Sequence, residues 1–400
     1  MNCDSLFNPV KIGKKEIKNR IAFAPTVMAT AGPDGEVSDQ ALCHYTARAK
    51  GGAGLIIVEH TMAHNRYGFS GNGGLCFHQD KNLAGMMDLA DAAHAFDAAI
   101  VVQLSLGVGR ASGRGKESVG PSRVPLKIPE RSMPEKLKMF EGFSGPETRE
   151  LPISELEELE DLYAEAVFRI KKAGFDGIEI HGAHGYFLAA FLSPFTNHRN
   201  DRYGGSKEKR MTLLLNLLRK SREAAGDDFI IGLRISGDEH IPGGRSLDET
   251  LKIVSVAEKK GIDYIHLSSG TLESWKHTFP EKEGAILPEA EQVKKAVGIP
   301  VICPNFHSPS LADQAVSGGK VDMVSLSRSL LADPQWPNKV REGRVDDIQK
   351  CVWCYGCMLT LTQGLRTRCL VNPDVGRERF MPEYFPPPRK RRGFPELSIG

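Results

Sequence analysis

The chain has 400 residues, 40% of them hydrophobic and 26% charged, which excludes a disordered or low-complexity protein and exceeds what one small domain needs. It fits one large α/β barrel with appendages, or two to three ordinary domains. Basic and acidic residues nearly balance at 52 against 50, so charge gives no case for nucleic acid or an anionic membrane as partner.

No apolar run approaches the ~20 residues needed to span a bilayer. The opening Met1-Asn2-Cys3-Asp4-Ser5-Leu6 lacks the basic region and apolar core of a secretory signal. A cytoplasmic location is the expectation.

Taken in chain order, short runs rich in Val, Ile and Leu alternate with longer helical patterns. Strands are predicted at residues 20–24, 54–59, 100–104, 177–180, 229–235, 264–267, 300–303 and 323–326. Near-continuous apolar runs suit strands covered on both faces, as in a parallel sheet. Helices are predicted at 39–50 and 83–96. A further helix opens at Ser154 with Glu157 as its capping-box partner. It carries Leu156, Leu159, Tyr163, Ala166, Val167 and Ile170 on one face and stops at Gly174. Helix 207–225 follows. Ser246 and Glu249 repeat the capping signal, Leu251, Val254 and Ala257 continue that face, and Gly261 closes it. Helices at 289–297, 311–317 and 334–342 complete the pattern. Eight strand–helix units spell a (β/α)8 TIM barrel over residues 1–345. A doubly wound sheet is the alternative, but no G-x-G-x-x-G follows the first strand.

Two stretches fall outside the repeat. Residues 107–152 follow the third strand and are rich in Gly, Pro and Lys. Loops this long are functional lids or binding loops, or else tolerated surface insertions. The second stretch is a cysteine-bearing segment at 346–385. After it, Pro386-Pro387-Pro388-Arg389-Lys390-Arg391-Arg392 opens a basic tail or linker at 386–400.

Four of the eight cysteines, Cys351, Cys354, Cys357 and Cys369, crowd that segment, while Cys3, Cys43, Cys76 and Cys303 are scattered. A secreted disulfide scaffold would spread them more evenly in a shorter chain. Four clustered thiols suit a local metal or iron–sulfur site. A zinc ribbon pairs two C-x-x-C knuckles. Three cysteines at spacing three and one distant partner stand nearer a 4Fe–4S site, with zinc and unliganded thiols as alternatives. Val352, Trp353, Tyr355 and Met358 are expected to shield it from water.

Active sites of such barrels lie at the C-terminal strand ends. Polar groups gather at almost every predicted end: Pro25-Thr26, Glu59-His60, Gln103, His181 to Tyr186, Arg234, Ser268-Ser269, Asn305-Phe306-His307 and Ser327-Arg328. The fourth end is richest. Imidazole N–H groups at His181 and His184 can hold a carbonyl oxygen and stabilise an enolate forming on it, and Tyr186 can deliver a proton to carbon. A zinc site on H-x-x-H and purely structural histidines are the alternatives. Arg234 and Gln103 suit the pyrimidine end of a flavin, against the alternative of a structural arginine–carboxylate pair. Asn305, Phe306, Ser327 and Arg328 stand where barrels often bind phosphate.

These stretches resemble the Old Yellow Enzyme family of FMN-dependent oxidoreductases. The matching motifs are Leu6-Phe7-Asn8-Pro9, Asn19-Arg20-Ile21, Arg48-Ala49-Lys50-Gly51-Gly52, Leu55-Ile56-Ile57-Val58-Glu59 and His181-Gly182-Ala183-His184-Gly185-Tyr186. The last runs into Phe191-Leu192-Ser193-Pro194 and residues 197–206, and Leu331-Ala332-Asp333-Pro334 ends the match. The appended cysteines with Val371-Asn372-Pro373 resemble the iron–sulfur branch, which includes 2,4-dienoyl-CoA reductase and trimethylamine dehydrogenase. The resemblance implies that His181 and His184 bind the substrate's activating oxygen and that Tyr186 is the proton donor. It implies that Pro25, Thr26, Gln103 and Arg234 contact the isoalloxazine and ribityl parts of FMN. Asn305, Phe306, Ser327 and Arg328 would surround its phosphate, and Cys351, Cys354, Cys357 and Cys369 would hold the 4Fe–4S cluster.

The sequence departs from the family pattern in four places. Asn305-Phe306 replaces adjacent glycines of the phosphate loop. The gap between Cys354 and Cys357 is one residue shorter than in dienoyl-CoA reductase and nearer the amine enzyme. That enzyme has a tyrosine where His181 stands and a flavin-linking cysteine where Val27 stands, which disfavours covalent FMN and amine oxidation. Full-length members of the branch continue into nucleotide-binding domains, whereas this chain ends at Gly400.

The expected activity is therefore FMN-dependent reduction of an activated C=C in an enone or an enoyl or dienoyl thioester. Electrons would come through the cluster from a protein donor, or from NAD(P)H. The small-molecule substrate includes CoA thioesters among its candidates, and a homo-oligomer is compatible with the sequence. The alternatives are oxidative N-demethylation of a small methylamine and a role as an electron-transfer subunit.

Overall fold

The computed structural model describes residues 3–67, 73–112 and 117–386. Eight parallel strands close into a barrel: β1 (Ile21–Phe23), β2 (Leu55–Met62), β3 (Ala99–Ser105), β4 (Gly177–Gly182), β5 (Ile230–Ser236), β6 (Tyr264–Ser268), β7 (Val301–Pro304) and β8 (Met323–Leu326). Val324 of β8 pairs with Ile21 of β1, which closes the ring. Each predicted strand is present. Their residues are buried throughout, because helices cover the outside and side chains fill the inside.

The principal helices, one after each strand, are α1 (Asp39–Lys50), α2 (Leu83–His94), α3 (Ile153–Lys172), α4 (Thr212–Ala225), α5 (Leu247–Lys259), α6 (Leu287–Ala296), α7 (Pro309–Ser317) and α8 (Trp336–Arg341), with shorter helical turns such as Phe187–Leu192 among them. Two expectations are corrected. The capping box at Ser154 does not form: α3 starts at Ile153, after an extended Pro152, so Ser154 lies inside the first turn. The predicted helix 207–225 is broken at Met211 into Lys207–Arg210 and α4. The second capping signal does form, with Ser246 accepting the Glu249 N–H.

Helix α1 is capped by Ser38, whose Oγ accepts the Ala41 N–H at 3.2 Å. Ser38→Ala is expected to cost about 1 kcal/mol, measured as a lowered urea midpoint at unchanged slope. An unshifted midpoint would show that the cap contributes nothing.

An N-terminal hairpin, Val10–Ile12 paired with Lys15–Ile17, has no counterpart in the predicted elements. Its Val10, Ile12 and Ile17 pack on Ala22, Leu55, Ala99 and Ile230 near the strand starts and plug that end of the barrel.

The inside becomes polar toward the opposite end. Register places Gln103, Glu179, Gly232 and Tyr264 in one row across β3 to β6. Gly232 is required there: a Cβ would lie 2.1 Å from Cζ of Tyr264. The next row holds His181, Arg234 and His266.

The stretch 107–152 has structure of its own among the described residues. Val119–Gly120 pairs in parallel with Arg149–Glu150. Buried Arg110 forms an ion pair with Glu273 at 2.7 Å, and Arg199 donates to the Leu151 carbonyl at 2.7 Å. Leu126, Ile128, Met133 and Leu137 of this stretch pack with Leu272 and Tyr355, and Tyr186 borders the same cluster.

The cysteine segment folds back onto the barrel. Thr367 donates its N–H to the Met28 carbonyl at 3.0 Å and its hydroxyl to the Val27 carbonyl at 2.8 Å. Asn372 donates to the Leu331 carbonyl at 2.8 Å. Further on, Glu378 is buried against α1, accepting from Arg48 at 2.6 Å and lying 2.8 Å from Nδ1 of His44. The basic run from Arg389 to Arg392 lies outside the described residues.

Candidate active site

The C-terminal strand ends surround a cavity of about 220 Å³. Pro25 and Thr26 after β1, Gln103 of β3, His181, His184 and Tyr186 from β4, and Arg234 of β5 all line it. Asn305 and Phe306 after β7 and Ser327 and Arg328 after β8 line it too. The eleven catalytic and cofactor positions anticipated from sequence thus share one cavity. Cys357, Met358, Leu361 and Thr367 bring the cysteine segment to its wall.

Backbone geometry sets the fourth strand end. His184 and Gly185 take left-handed φ values of 64° and 73°, so the chain turns sharply between His181 and Tyr186. A Cβ at Gly185 would meet Thr271 Oγ1 at 2.2 Å. The rings of His181 and His184 then lie 5.3 Å apart, and Tyr186 is 5.4 Å from His181 and 6.2 Å from His184. His184 is fixed by Ser268, 2.7 Å from its Nε2, and by its own N–H donating to Ser236. His181 Nδ1 is buried without a partner, and no hydrogen bond holds the Tyr186 hydroxyl among the described residues. These groups are free to meet a ligand.

Burial pushes His181 and His184 well below the usual imidazole range, with neighbouring His60, His266 and Arg234 adding to it. Burial raises Tyr186. At neutral pH the imidazoles are neutral donors and the phenol keeps its proton. Ligand affinity is therefore expected to show no titration step near pH 6.5, the unperturbed histidine value. A titration of phenol-type inhibitor binding between pH 6 and 8 checks this; a sigmoid centred near pH 6.5 would contradict it.

Arg234 has no carboxylate within ion-pairing distance among the described residues. Its Nη1 lies 3.1 and 3.3 Å from the two ring nitrogens of His266, and its Nε is buried without a partner. His266 is itself held by Glu179 at 2.8 Å and Ser325 at 2.8 Å. Glu179 also accepts from Gln103 at 2.8 Å and Tyr264 at 3.0 Å. Burial pushes this carboxyl up, but the charges of His266 and Arg234 and these hydrogen bonds outweigh it and hold it low. The network fixes Gln103 and Arg234 from below and leaves guanidinium donors for an electron-rich ring. That fits the flavin and disfavours a structural arginine–carboxylate pair. Glu179, Tyr264 and His266 escaped the sequence reading; the polar positions at residues 264 and 266, two apart in an apolar run, were their only local signal.

Between the ends of β1 and β8, the Thr26 and Ser327 hydroxyls are 2.8 Å apart. Asn305 takes φ 71°, the left-handed region that glycine favours and asparagine tolerates, which explains how it stands where glycine was expected. Arg328 has a buried Nη1 without a partner, and its guanidinium lies over the rings of Trp353 at 4.5 Å and Tyr355 at 5.3 Å. One arginine thus joins the cavity to the cysteine loop.

Trp353 and Tyr355 flank Cys354 at φ 53° and 57°, and the Gly356 N–H donates to Cys354 Sγ at 3.4 Å. Cys357 and Cys369 pack together against Met28, Leu331 and Val375. Burial pushes the Cys357 thiol up to about 11; Arg328 opposes this, and the charges of Cys351, Cys354 and Cys369 add to it. Cys351, Cys354 and Cys369 therefore all lie within electrostatic reach of Cys357. Among the described residues, no three His, Cys, Asp or Glu groups stand close enough to hold a metal ion as placed. The expected shielding is met by buried Tyr355, whereas Val352 is 51% exposed and does not contribute.

The family model described as NADH:flavin oxidoreductase / NADH oxidase matches residues 5–347. An NADH oxidase of Thermoanaerobacter brockii is 38% identical over 398 residues, covering 97% of this chain and 59% of the relative. A cinnamate reductase of Clostridium sporogenes is 35% identical over 403 residues, covering 94% and 58%. The solved structure of 2-naphthoyl-CoA reductase with 2-naphthoyl-CoA superposes with a TM-score of 0.85 at 30% identity, covering 94% of this chain and 58% of that one. The chain spans just over half the length of these relatives. With its eight-stranded barrel and a cavity built from the anticipated strand ends, the chain belongs to the NADH:flavin oxidoreductase / NADH oxidase family.

Proposed function

We propose that the chain is the flavin barrel of an FMN-dependent ene-reductase. The observation that carries this is the convergence of His181, His184 and Tyr186 on the cavity that Arg234, Gln103, Asn305, Phe306, Ser327 and Arg328 also line, with His181 Nδ1 unpartnered and no hydrogen bond on the Tyr186 hydroxyl among the described residues. FMN, when bound, supplies a hydride from N5 to the β-carbon of an activated C=C. His181 and His184 hold the substrate's carbonyl oxygen and stabilise negative charge developing there. Tyr186 gives its proton to the α-carbon. Arg234, Gln103, Pro25 and Thr26 would hold the ring and ribityl parts of FMN, and Asn305, Phe306, Ser327 and Arg328 would hold its phosphate.

The cysteine segment is proposed to bind a 4Fe–4S cluster through Cys351, Cys354, Cys357 and Cys369. Cys357 and Cys369 both pack against the apolar cluster of Met28, Leu331 and Val375, Cys357 also lines the cavity, and the short turn around Cys354 leaves that thiol accepting a backbone N–H. The cluster, when held, supplies single-electron transfer, with NAD(P)H or a protein donor as the source.

Among the described residues the lining contains two arginines and no aspartate or glutamate to receive a substrate ammonium, which disfavours the amine-oxidising alternative. Anaerobic purification tests the cofactor assignment. The expected result is a yellow-brown protein whose extract contains FMN, with iron and sulfide near four each per chain. A colourless protein that takes up no FMN would sink the proposal.

A further inference from the structure

Two bulky aromatic residues stand where the backbone favours glycine. Trp353 and Tyr355 hold φ values of 53° and 57° in the turn that carries Cys351, Cys354 and Cys357. The left-handed region is costly for side chains of that size, so it persists only where contacts elsewhere compensate. Those contacts are with the barrel. The Trp353 ring meets that of His307, beyond β7, at 4.2 Å. His307 is itself set by Ser329, 3.0 Å from its Nδ1, and its carbonyl accepts from Trp336. Tyr355 is buried and donates to the Phe279 carbonyl at 2.9 Å. His307 and Phe279 both line the cavity.

The two rings share Arg328. Its guanidinium carbon lies 4.5 Å from the Trp353 ring centre and 5.3 Å from that of Tyr355. Ring faces attract a guanidinium. A carboxylate would hold it too, but would neutralise its charge and occupy its N–H donors. Ring faces fix the arginine and leave its charge and edge for an anion. Arg328 lines the cavity, and its Nη1 is buried without a partner.

We infer that Trp353 and Tyr355 are positioning residues for Arg328, so that the cysteine loop sets how strongly the cavity prefers a flavin that bears a phosphate over one that does not. This rests on the flavin reading of the same cavity, with Arg328 at the phosphate. The loop then serves the flavin through its aromatic side chains, apart from whatever its thiols hold.

The test compares FMN with riboflavin, which differ only in the phosphate. Both are titrated into the deflavinated full chain and read by quenching of flavin fluorescence. Trp353→Gly removes the ring at a φ that glycine favours, so the backbone is relieved rather than strained. Trp353→Phe keeps a ring. Trp353→Gly is expected to cut the FMN-over-riboflavin affinity ratio by about three- to thirtyfold, the range that one cation–ring contact supplies, and Trp353→Phe to recover most of it. In an Arg328→Gln background, Trp353→Gly should change the ratio no further, because its effect passes through the arginine. An unchanged ratio in Trp353→Gly, equal weakening of both flavins, no recovery in Trp353→Phe, or the same fall in the Arg328→Gln background would each overturn the inference. Should Trp353→Gly not fold, Trp353→Asn, which the same backbone tolerates, carries the same outcomes. A wild type that binds neither flavin sinks the flavin reading and this inference with it, whereas flavin binding with any of the four contrary results removes this inference alone.

Discussion

Tyr186→Phe is expected to slow substrate-driven reoxidation of the reduced protein by about 10²–10⁴-fold, the usual range for losing a positioned general acid. The substitution removes one hydroxyl that makes no hydrogen bond among the described residues, so little else should change. The ring contacts with His60, His181 and His184 survive in phenylalanine. Burial raises the tyrosine above its usual range, which keeps the proton available at working pH. Anaerobic stopped-flow separates the half-reactions: substrate reduction should fall far more than reduction of the flavin by its donor. Equal slowing of both would assign Tyr186 to flavin binding rather than proton delivery.

Glu378→Ala is expected to destabilise the protein by about 3–5 kcal/mol, the cost typical of removing one partner of a buried ion pair. Arg48 and His44 are both fully buried, and Glu378 is their shared anion. Its removal leaves the Arg48 guanidinium, one of whose nitrogens already lacks a partner, without a counter-charge. The pH dependence has a definite sign. Burial alone would raise the Glu378 carboxyl, but His44 and Arg48 hold it far below the usual carboxylate range. The stabilisation is thus full at neutral pH and lost as pH falls below that range. Urea unfolding of both proteins should show the full difference at pH 7 and a narrowing one only in acid. His44 acts in the same direction: burial and Arg48 lower it to about 4, so stability also declines as pH falls from about 6.5 toward that value. A difference that widened in acid would show the sign to be wrong.

The barrel was legible because its strands are apolar on both faces. Runs such as 55–58 and 100–102 need no tertiary information to read as buried strands. Helix boundaries followed where a cap and a glycine agreed, as at Ser246 and Gly261, and failed at Ser154, where Pro152 starts the helix earlier. The site residues were legible because barrel chemistry sits at strand ends, so eight local endings could be assembled without knowing their separations. His60 illustrates the limit. It was visible at a strand end, but its place in the cavity lining goes with a register shift between β2 and β3, and register is a property of two strands. The Glu179–His266–Arg234 network was hidden for the same reason, since its members come from three strands. The docking of Glu378 on Arg48 joins positions 330 residues apart, which no local pattern encodes.

The most direct test of the central claim is to mix photoreduced, FMN-loaded protein anaerobically with 2-cyclohexen-1-one and follow flavin absorbance together with product. Flavin reoxidation matched by an equal amount of cyclohexanone is expected, abolished or greatly slowed in Tyr186→Phe. Reduced flavin that persists with the enone, yet reoxidises normally with an artificial electron acceptor, would contradict it.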